Sequence, residues 1–198
     1  MSDLNPSLSC DVLISGYGPS GATLANLLGL RGFSVIVVER EKEIFDKPRA
    51  ITADHEVMRV FQDCGLAEEI NSMSIAHPGS DYVGLENQII KRLYPAPPPL
   101  SLTWDPSWLF EQPVLEATLR RGVERFPSIN TLLGHELVEF AQDDAVVKAR
   151  VRRVDDDHSF ELTARYLVAC DGGRSTVRKL LDSTIENLDF DEWWIVVD

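Results

Sequence analysis

Cysteine is nearly absent. Cys10, Cys64 and Cys170 stand far apart with no C-x-x-C pair, which excludes a disulfide framework or cysteine-held zinc, and each lies in an apolar context suited to a small buried hydrophobe. His55, His77, His135 and His158 have no metal-ligand spacing with one another or with cysteine, so no metal is expected. Positive charge is also in deficit, with 19 Lys and Arg against 32 Asp and Glu and a formal charge of -13. A field of that sign repels phosphate backbones and anionic lipid, so nucleic acid and membrane surfaces are not expected partners. No apolar run approaches the roughly 18 residues of a membrane span, and the opening MSDLNPSLSC lacks the basic and apolar regions of a secretion signal. The expectation is a cytoplasmic protein. Twelve glycines and eleven prolines in 198 residues, with 44% hydrophobic and 26% charged, exclude collagen-like, low-complexity and disordered classes. Such a chain buries a core.

The apolar run at 11–15 (DVLIS) ends in a glycine-rich turn, and residues 19–30 then carry apolar positions at helical spacing. Gly32 closes that helix, and the β-branched run at 33–38 (FSVIVV) predicts a parallel strand buried on both faces. The first forty residues thus predict a βαβ unit. Helical spacing recurs at 53–62, with a short second helix before Ile70, whereas 71–110 has no comparable period and contains the PAPPP stretch at 95–99. This segment predicts an excursion out of the nucleotide domain. Leu115, Leu119, Val123 and Phe126 define a helix opened by Pro113, and 147–151 with 160–164 alternate as a half-exposed hairpin. A separate apolar strand at 166–170 (YLVAC), the turn Asp171-Gly172-Gly173 and a helix at 175–181 make a second strand-turn-helix unit. The run WWIVV at 193–197 reads as a buried strand one residue from the end of the chain. The chain is therefore expected to be the N-terminal part of a longer protein.

Gly16-Tyr17-Gly18-Pro19-Ser20-Gly21 fits G-x-G-x-x-G directly after a strand and at the start of a helix, the context in which that pattern binds dinucleotides. Gly16 permits the tight turn, Gly18 admits a pyrophosphate to the backbone, and Gly21 lets helix pack on strand, while the helix N-terminus offers unpaired N–H groups. The plainer reading is a glycine turn with no ligand. Glu39 ends the second strand about 20 residues on, where a carboxylate accepts from both hydroxyls of an adenosine ribose and repels a 2′-phosphate. These features favour FAD or NAD over NADP and do not separate the first two. Asp171, at the end of an apolar strand, reads equally as a ligand contact or as the cap of the following helix.

Four stretches, DVLISGYGPSGATLANLLGLRGFSVIVVER, PRAITADHEVMRVFQDCGL, FEQPVLEATLRRGVERFP and YLVACDGGRSTVRKLL, resemble in order and spacing the class A flavoprotein aromatic monooxygenases related to 4-hydroxybenzoate hydroxylase. PRA, the QP helix start, ACDGG and WWIVVD look closest to the 3-(3-hydroxyphenyl)propionate hydroxylase branch. The resemblance implies an α/β, Rossmann-like FAD-binding fold with a β-hairpin or meander insertion and the start of a second, substrate domain. Under it, 1–70 and 111–182 form the FAD-binding domain, 71–110 the substrate-side excursion, and 183–198 the start of the truncated second domain. It implies that Gly16, Gly18, Pro19, Ser20 and Gly21 hold the FAD pyrophosphate, and that Glu39, with Arg40, holds the ribose. Arg49 of PRA would reach the flavin, Gln112 the ribityl chain, and Asp171, supported by Arg178, would belong to the family's Asp-Gly motif.

The activity so implied is hydroxylation of a phenolic, hydroxyphenylpropionate-like substrate with NADH or NADPH and O2. The family's Gly-Asp motif and most of its substrate-domain sheet have no counterpart in these 198 residues. No spacing selects a catalytic residue, and Tyr82, Tyr94, Trp104 and Trp108 stand as pocket candidates. Two alternatives remain open: another FAD-dependent reductase or dehydrogenase, and a truncated FAD-binding module without turnover.

Overall fold

The structure, a computed structural model, describes residues 8–46, 50–189 and 192–193. The chain opens with β1 (Leu8–Ser15), α1 (Pro19–Leu30) and β2 (Val35–Glu39), the predicted βαβ unit. It continues through β3 (Thr52–Asp54), α2 (His55–Asp63), α3 (Ala67–Ser72), β4 (Ile75–Ala76), β5 (Ser80–Val83), β6 (Ile89–Leu93) and β7 (Ser107–Leu109). The last part holds α4 (Gln112–Val123), β8 (Ile129–Leu133), β9 (His135–Gln142), β10 (Val147–Arg153), β11 (Ser159–Ala169) and α5 (Thr176–Leu180).

One six-stranded sheet in the order β8-β2-β1-β11-β10-β9 organises the fold. Its first four strands are parallel, and β11-β10-β9 continue as an antiparallel meander. Alternate side chains of β1 and β2 enter two different cores, which is why these strands read as unbroken apolar runs. Val12, Ile14, Val35 and Val37 pack with Ala22 and Ala25 of α1 and Leu115, Leu119 and Val123 of α4. Leu13, Ile36 and Val38 face Leu137, Ala149, Val151, Leu162 and Ala164, because the meander turns back across the other face. Helices α1 and α4 therefore pack on one face of β1 and β2, and the meander of the same sheet, with Val177 of α5, packs on the other, so both sides are buried.

The hairpin strand expected at 160–164 and the separate strand expected at 166–170 are a single 11-residue strand, β11. It forms the seam of the fold. Ala164 pairs with Val147 of β10 and with Cys10 of β1, and beyond that point β11 runs along β1 alone. Its last residues therefore have one open edge, and Tyr166 there is 61% exposed.

The aperiodic 71–110 stretch contains short strands. β4 and β7 join β3 in a second sheet, and β5 pairs with β6 as a hairpin. Segments this short carry no period long enough to read. The short helix expected before Ile70 runs through it, as α3. Of the strand expected at 193–197, only Trp193 lies among the described residues, and it is fully exposed.

Candidate functional site

The site lies at the carboxyl ends of β1, β2 and β11. From β1 the chain moves to β2 and β8 on one side, while β11 lies on the other, so the crevice is a topological switch point where open α/β sheets bind ligands. The turn after β1 is stitched to both neighbours: Gly16 N donates to the Val38 carbonyl (2.8 Å) and Cys170 N to the Ser15 carbonyl (2.7 Å). Two of its glycines are required by contact. Gly16 has φ +100°, and a β-carbon there would lie 2.3 Å from the Cys170 carbonyl oxygen; one on Gly21 would lie 2.1 Å from the Gly16 carbonyl oxygen. Gly18 differs, because a β-carbon there would meet no atom of the described residues within 4 Å.

That open space sits at the start of α1. Gly18 is its N-cap, Pro19 opens the first turn, no side chain caps it, and the first turn holds no acidic residue. Unpaired N–H groups and the positive end of the helix dipole thus face a space that admits an anion. Ser20 is exposed beside it. Glu39 ends β2, with Oε2 accepting from Tyr17 N (2.7 Å) and Oε1 from Glu41 N (2.9 Å). Each carboxylate oxygen can accept a second bond. Arg40 is exposed and its guanidinium pairs with Glu41 at 2.8 Å, rather than joining Glu39.

Asp171 performs the capping role and leaves the ligand role open. Its Oδ2 accepts from Thr176 N (2.7 Å) and Val177 N (3.3 Å), at the head of α5. Its Oδ1 is buried with no partner among the described residues, the state of a polar atom that still needs a donor. Arg178 closes the turn by donating from Nη2 to the Gly173 carbonyl (2.7 Å), and Ser175 Oγ accepts from Arg178 N. Gln112, at the first turn of α4, is 6% exposed, and its Oε1 accepts from Ala50 N at 2.9 Å. It thereby anchors the residue following Arg49, which lies outside the described residues.

Two features were not anticipated. One is the ion pair Glu116–Arg120 on α4, whose i,i+4 spacing was visible in the sequence but whose target was not: Arg120 Nε donates to the Tyr17 carbonyl in the glycine turn (3.2 Å). The other is a groove of about 420 Å³ beside the start of α1, lined by Pro19, Thr52, Ala53, Phe61, Phe110 and Leu115 among others. None of the four aromatic pocket candidates lines it. Trp108 is core, 2% exposed and packed against Phe61 and Phe110; Tyr82 and Tyr94 are exposed; Trp104 Nε1 donates to Gln62 Oε1.

N–H donors for a diphosphate beside a carboxylate for ribose hydroxyls are the equipment of a dinucleotide-binding α/β domain. The comparisons with known proteins narrow that class. The family described as FAD binding domain matches residues 9–197, and the chain belongs to it. It is 40% identical over 188 residues to the 3-(3-hydroxy-phenyl)propionate/3-hydroxycinnamic acid hydroxylase of Comamonas testosteroni, covering 95% of this chain and 31% of that protein. The chain thus spans about a third of the length of that relative. Among solved structures it resembles the flavin-dependent monooxygenase PieE in complex with FAD and substrate, with TM-score 0.78 and 23% identity over 89% of this chain and 32% of that one. It also resembles OxyS anhydrotetracycline hydroxylase from Streptomyces rimosus, with TM-score 0.75 and 28% identity over 88% of this chain and 34% of that one. FAD is the cofactor of this family, and the open space at Gly18 with the unpaired Asp171 Oδ1 fits such a group.

Proposed function

We propose that this chain supplies the FAD-binding part of an aromatic hydroxylase that uses NADH or NADPH and O2 to hydroxylate a phenolic, hydroxyphenylpropionate-like substrate. The observation that carries this reading is the 40% identity, over 95% of the chain, to an enzyme named for that activity. The chemistry that FAD supplies when bound is electron transfer from the nicotinamide to O2. The protein binds, orients and excludes water. Gly16, Gly18, Pro19, Ser20 and Gly21 hold the pyrophosphate on the α1 N-terminus, Glu39 accepts from the adenosine ribose, and Asp171 Oδ1 accepts a ligand hydroxyl. Arg49 is assigned to the flavin side and Gln112 to the ribityl chain.

The division into FAD-binding parts (1–70 and 111–182), a substrate-side excursion (71–110) and the start of a second domain (183–198) belongs to the same proposal. The β5–β6 hairpin supports it, because neither of its strands joins the six-stranded sheet, whereas the second sheet spans the boundary, with β3 in the first part and β4 and β7 in the excursion. No helix among the described residues is long and apolar enough to cross a membrane, and a cytoplasmic site of action is proposed with the enzyme reading.

The test is to supply the hydroxylase of which this chain is the proposed FAD-binding part with FAD, NADH or NADPH, and 3-(3-hydroxyphenyl)propionate in air, then follow nicotinamide oxidation, O2 uptake and products by mass spectrometry. Substrate-stimulated oxidation with a product 16 mass units heavier (~16, one oxygen atom) is expected. Oxidation without hydroxylated product refutes the monooxygenase reading in favour of a reductase. FAD retention with no oxidation leaves a binding module alone.

A further inference from the structure

Tyr17 is the variable residue between the first two glycines of the turn, yet both of its backbone groups are held by charged side chains from distant elements. Its N–H donates to Glu39 Oε2 at 2.7 Å, and its carbonyl accepts from Arg120 Nε at 3.2 Å. The Arg120 guanidinium also lies over the Tyr17 ring, 4.6 Å from its centroid, and the ring is buried at 4% exposure. Glu116 completes the arrangement, accepting from Arg120 Nη2 at 2.6 Å, with the two side chains 4% and 13% exposed. A buried pair of this kind is a poor source of stability, since desolvation offsets most of the attraction. What it supplies is direction.

The Tyr17 carbonyl and the Gly18 N–H belong to one planar trans peptide and point opposite ways. Pinning the carbonyl to α4 therefore turns the Gly18 N–H away from α4, and that N–H finds no backbone acceptor among the described residues. The charge of Arg120 is matched by Glu116, and its Nε and Nη2 are committed to the Tyr17 carbonyl and to Glu116. We infer that Arg120, held by Glu116, is a positioning residue that fixes the Tyr17–Gly18 peptide so that the turn presents its N–H groups to the cofactor's diphosphate. This rests on the FAD reading above and extends it to two residues of α4.

Arg125, just beyond the C-terminal end of α4, provides a control. Its Nε donates to the Gly122 carbonyl and its Nη2 to Asn26 Oδ1 (3.0 Å) and the Cys64 carbonyl (2.8 Å), without touching the glycine turn. The experiment measures ADP and FAD affinity by calorimetry, adenosine binding by NMR and thermal midpoints, for the full chain and for Arg120→Met, Glu116→Gln and Arg125→Met. ADP and FAD are expected to bind Arg120→Met at least tenfold more weakly, with adenosine, which has no phosphate, changed less than threefold. Arg125→Met should lower the midpoint and leave ADP affinity within twofold. If Arg120→Met does not fold, Glu116→Gln is expected to weaken ADP at least threefold with adenosine unchanged. Wild-type ADP affinity in the folded variant, or equal losses of ADP and adenosine, overturns the inference. Failure of the unsubstituted chain to bind FAD or ADP instead defeats the FAD reading on which it rests.

Discussion

Gly18→Ala separates the fold from the cofactor. Gly18 lies at φ -70°, ψ -171°, a region open to alanine, and the added methyl meets no atom of the described residues within 4 Å. Restricting the unfolded chain stabilises by about 0.4–1 kcal/mol, while replacing glycine by alanine at an N-cap costs about 0.5–1 kcal/mol. The two nearly cancel. For a domain of this length about 1 kcal/mol moves Tm by ~2–4 °C, so Gly18→Ala should melt within about 3 °C of wild type.

Its effect on ligand should be large, because the methyl occupies the space the diphosphate must enter. FAD and ADP affinity should fall at least ~10-fold, or about 1.4 kcal/mol. Gly21→Ala is the opposite case. Its β-carbon would lie 2.1 Å from a backbone carbonyl that cannot swing aside, so overpacking of about 1–3 kcal/mol or more is expected, with a Tm loss of roughly 2–12 °C. Circular-dichroism melts and FAD-fluorescence quenching measure both quantities. Gly18→Ala with unchanged FAD affinity would refute the placement of the diphosphate over the open turn.

Other outcomes follow from single contacts. Asp171→Asn keeps an oxygen to cap α5 but puts a donor where the unpartnered Oδ1 now lies; Tm should stay within about 3 °C while FAD affinity drops, and undiminished affinity would reduce Asp171 to a helix cap. Asn26 is fully buried, donates to the Ala22 and Leu119 carbonyls and accepts from Arg125. Asn26→Ala should cost about 2–4 kcal/mol in urea unfolding and leave ADP affinity of the folded protein within twofold. Burial pushes the Tyr17 phenol up to about 12, with Arg120 pulling the other way. The folded state thus keeps a proton that the unfolded chain releases near pH ~10, so the associated stability is complete below pH ~10 and is lost as pH rises through about 12. An ultraviolet titration at 295 nm should lose its step near pH 12 in Tyr17→Phe, and an unchanged titration would contradict the burial.

Much of the site was legible because it is local. The strand, turn and helix that place Gly16, Gly18 and Gly21, and the strand that delivers Glu39, follow one another within forty residues, each marked by its own period or breaker. Composition likewise bears on partners without any coordinates. Sequence reasoning met its limit where β11 serves two partners at once: a strand pairing antiparallel on one side and parallel on the other has no signature in its own period. The dual state of Asp171 depended on it, since β11 carries that residue to the side of Gly16.

By itself, then, the amino-acid order determined the nucleotide turn, its helix and the carboxylate beyond it, because these depend on hydrophobic periodicity and on the φ angles that glycine allows. Only the tertiary structure decided how that turn is held. Arg120 reaches the Tyr17 carbonyl across 103 residues, and Gln112 reaches Ala50 across 62. Helix α4 carries the periodic face that announced its existence, but the direction of its polar side chains became meaningful only when the shared core of Val12, Ile14, Ala25 and Leu119 set it beside α1.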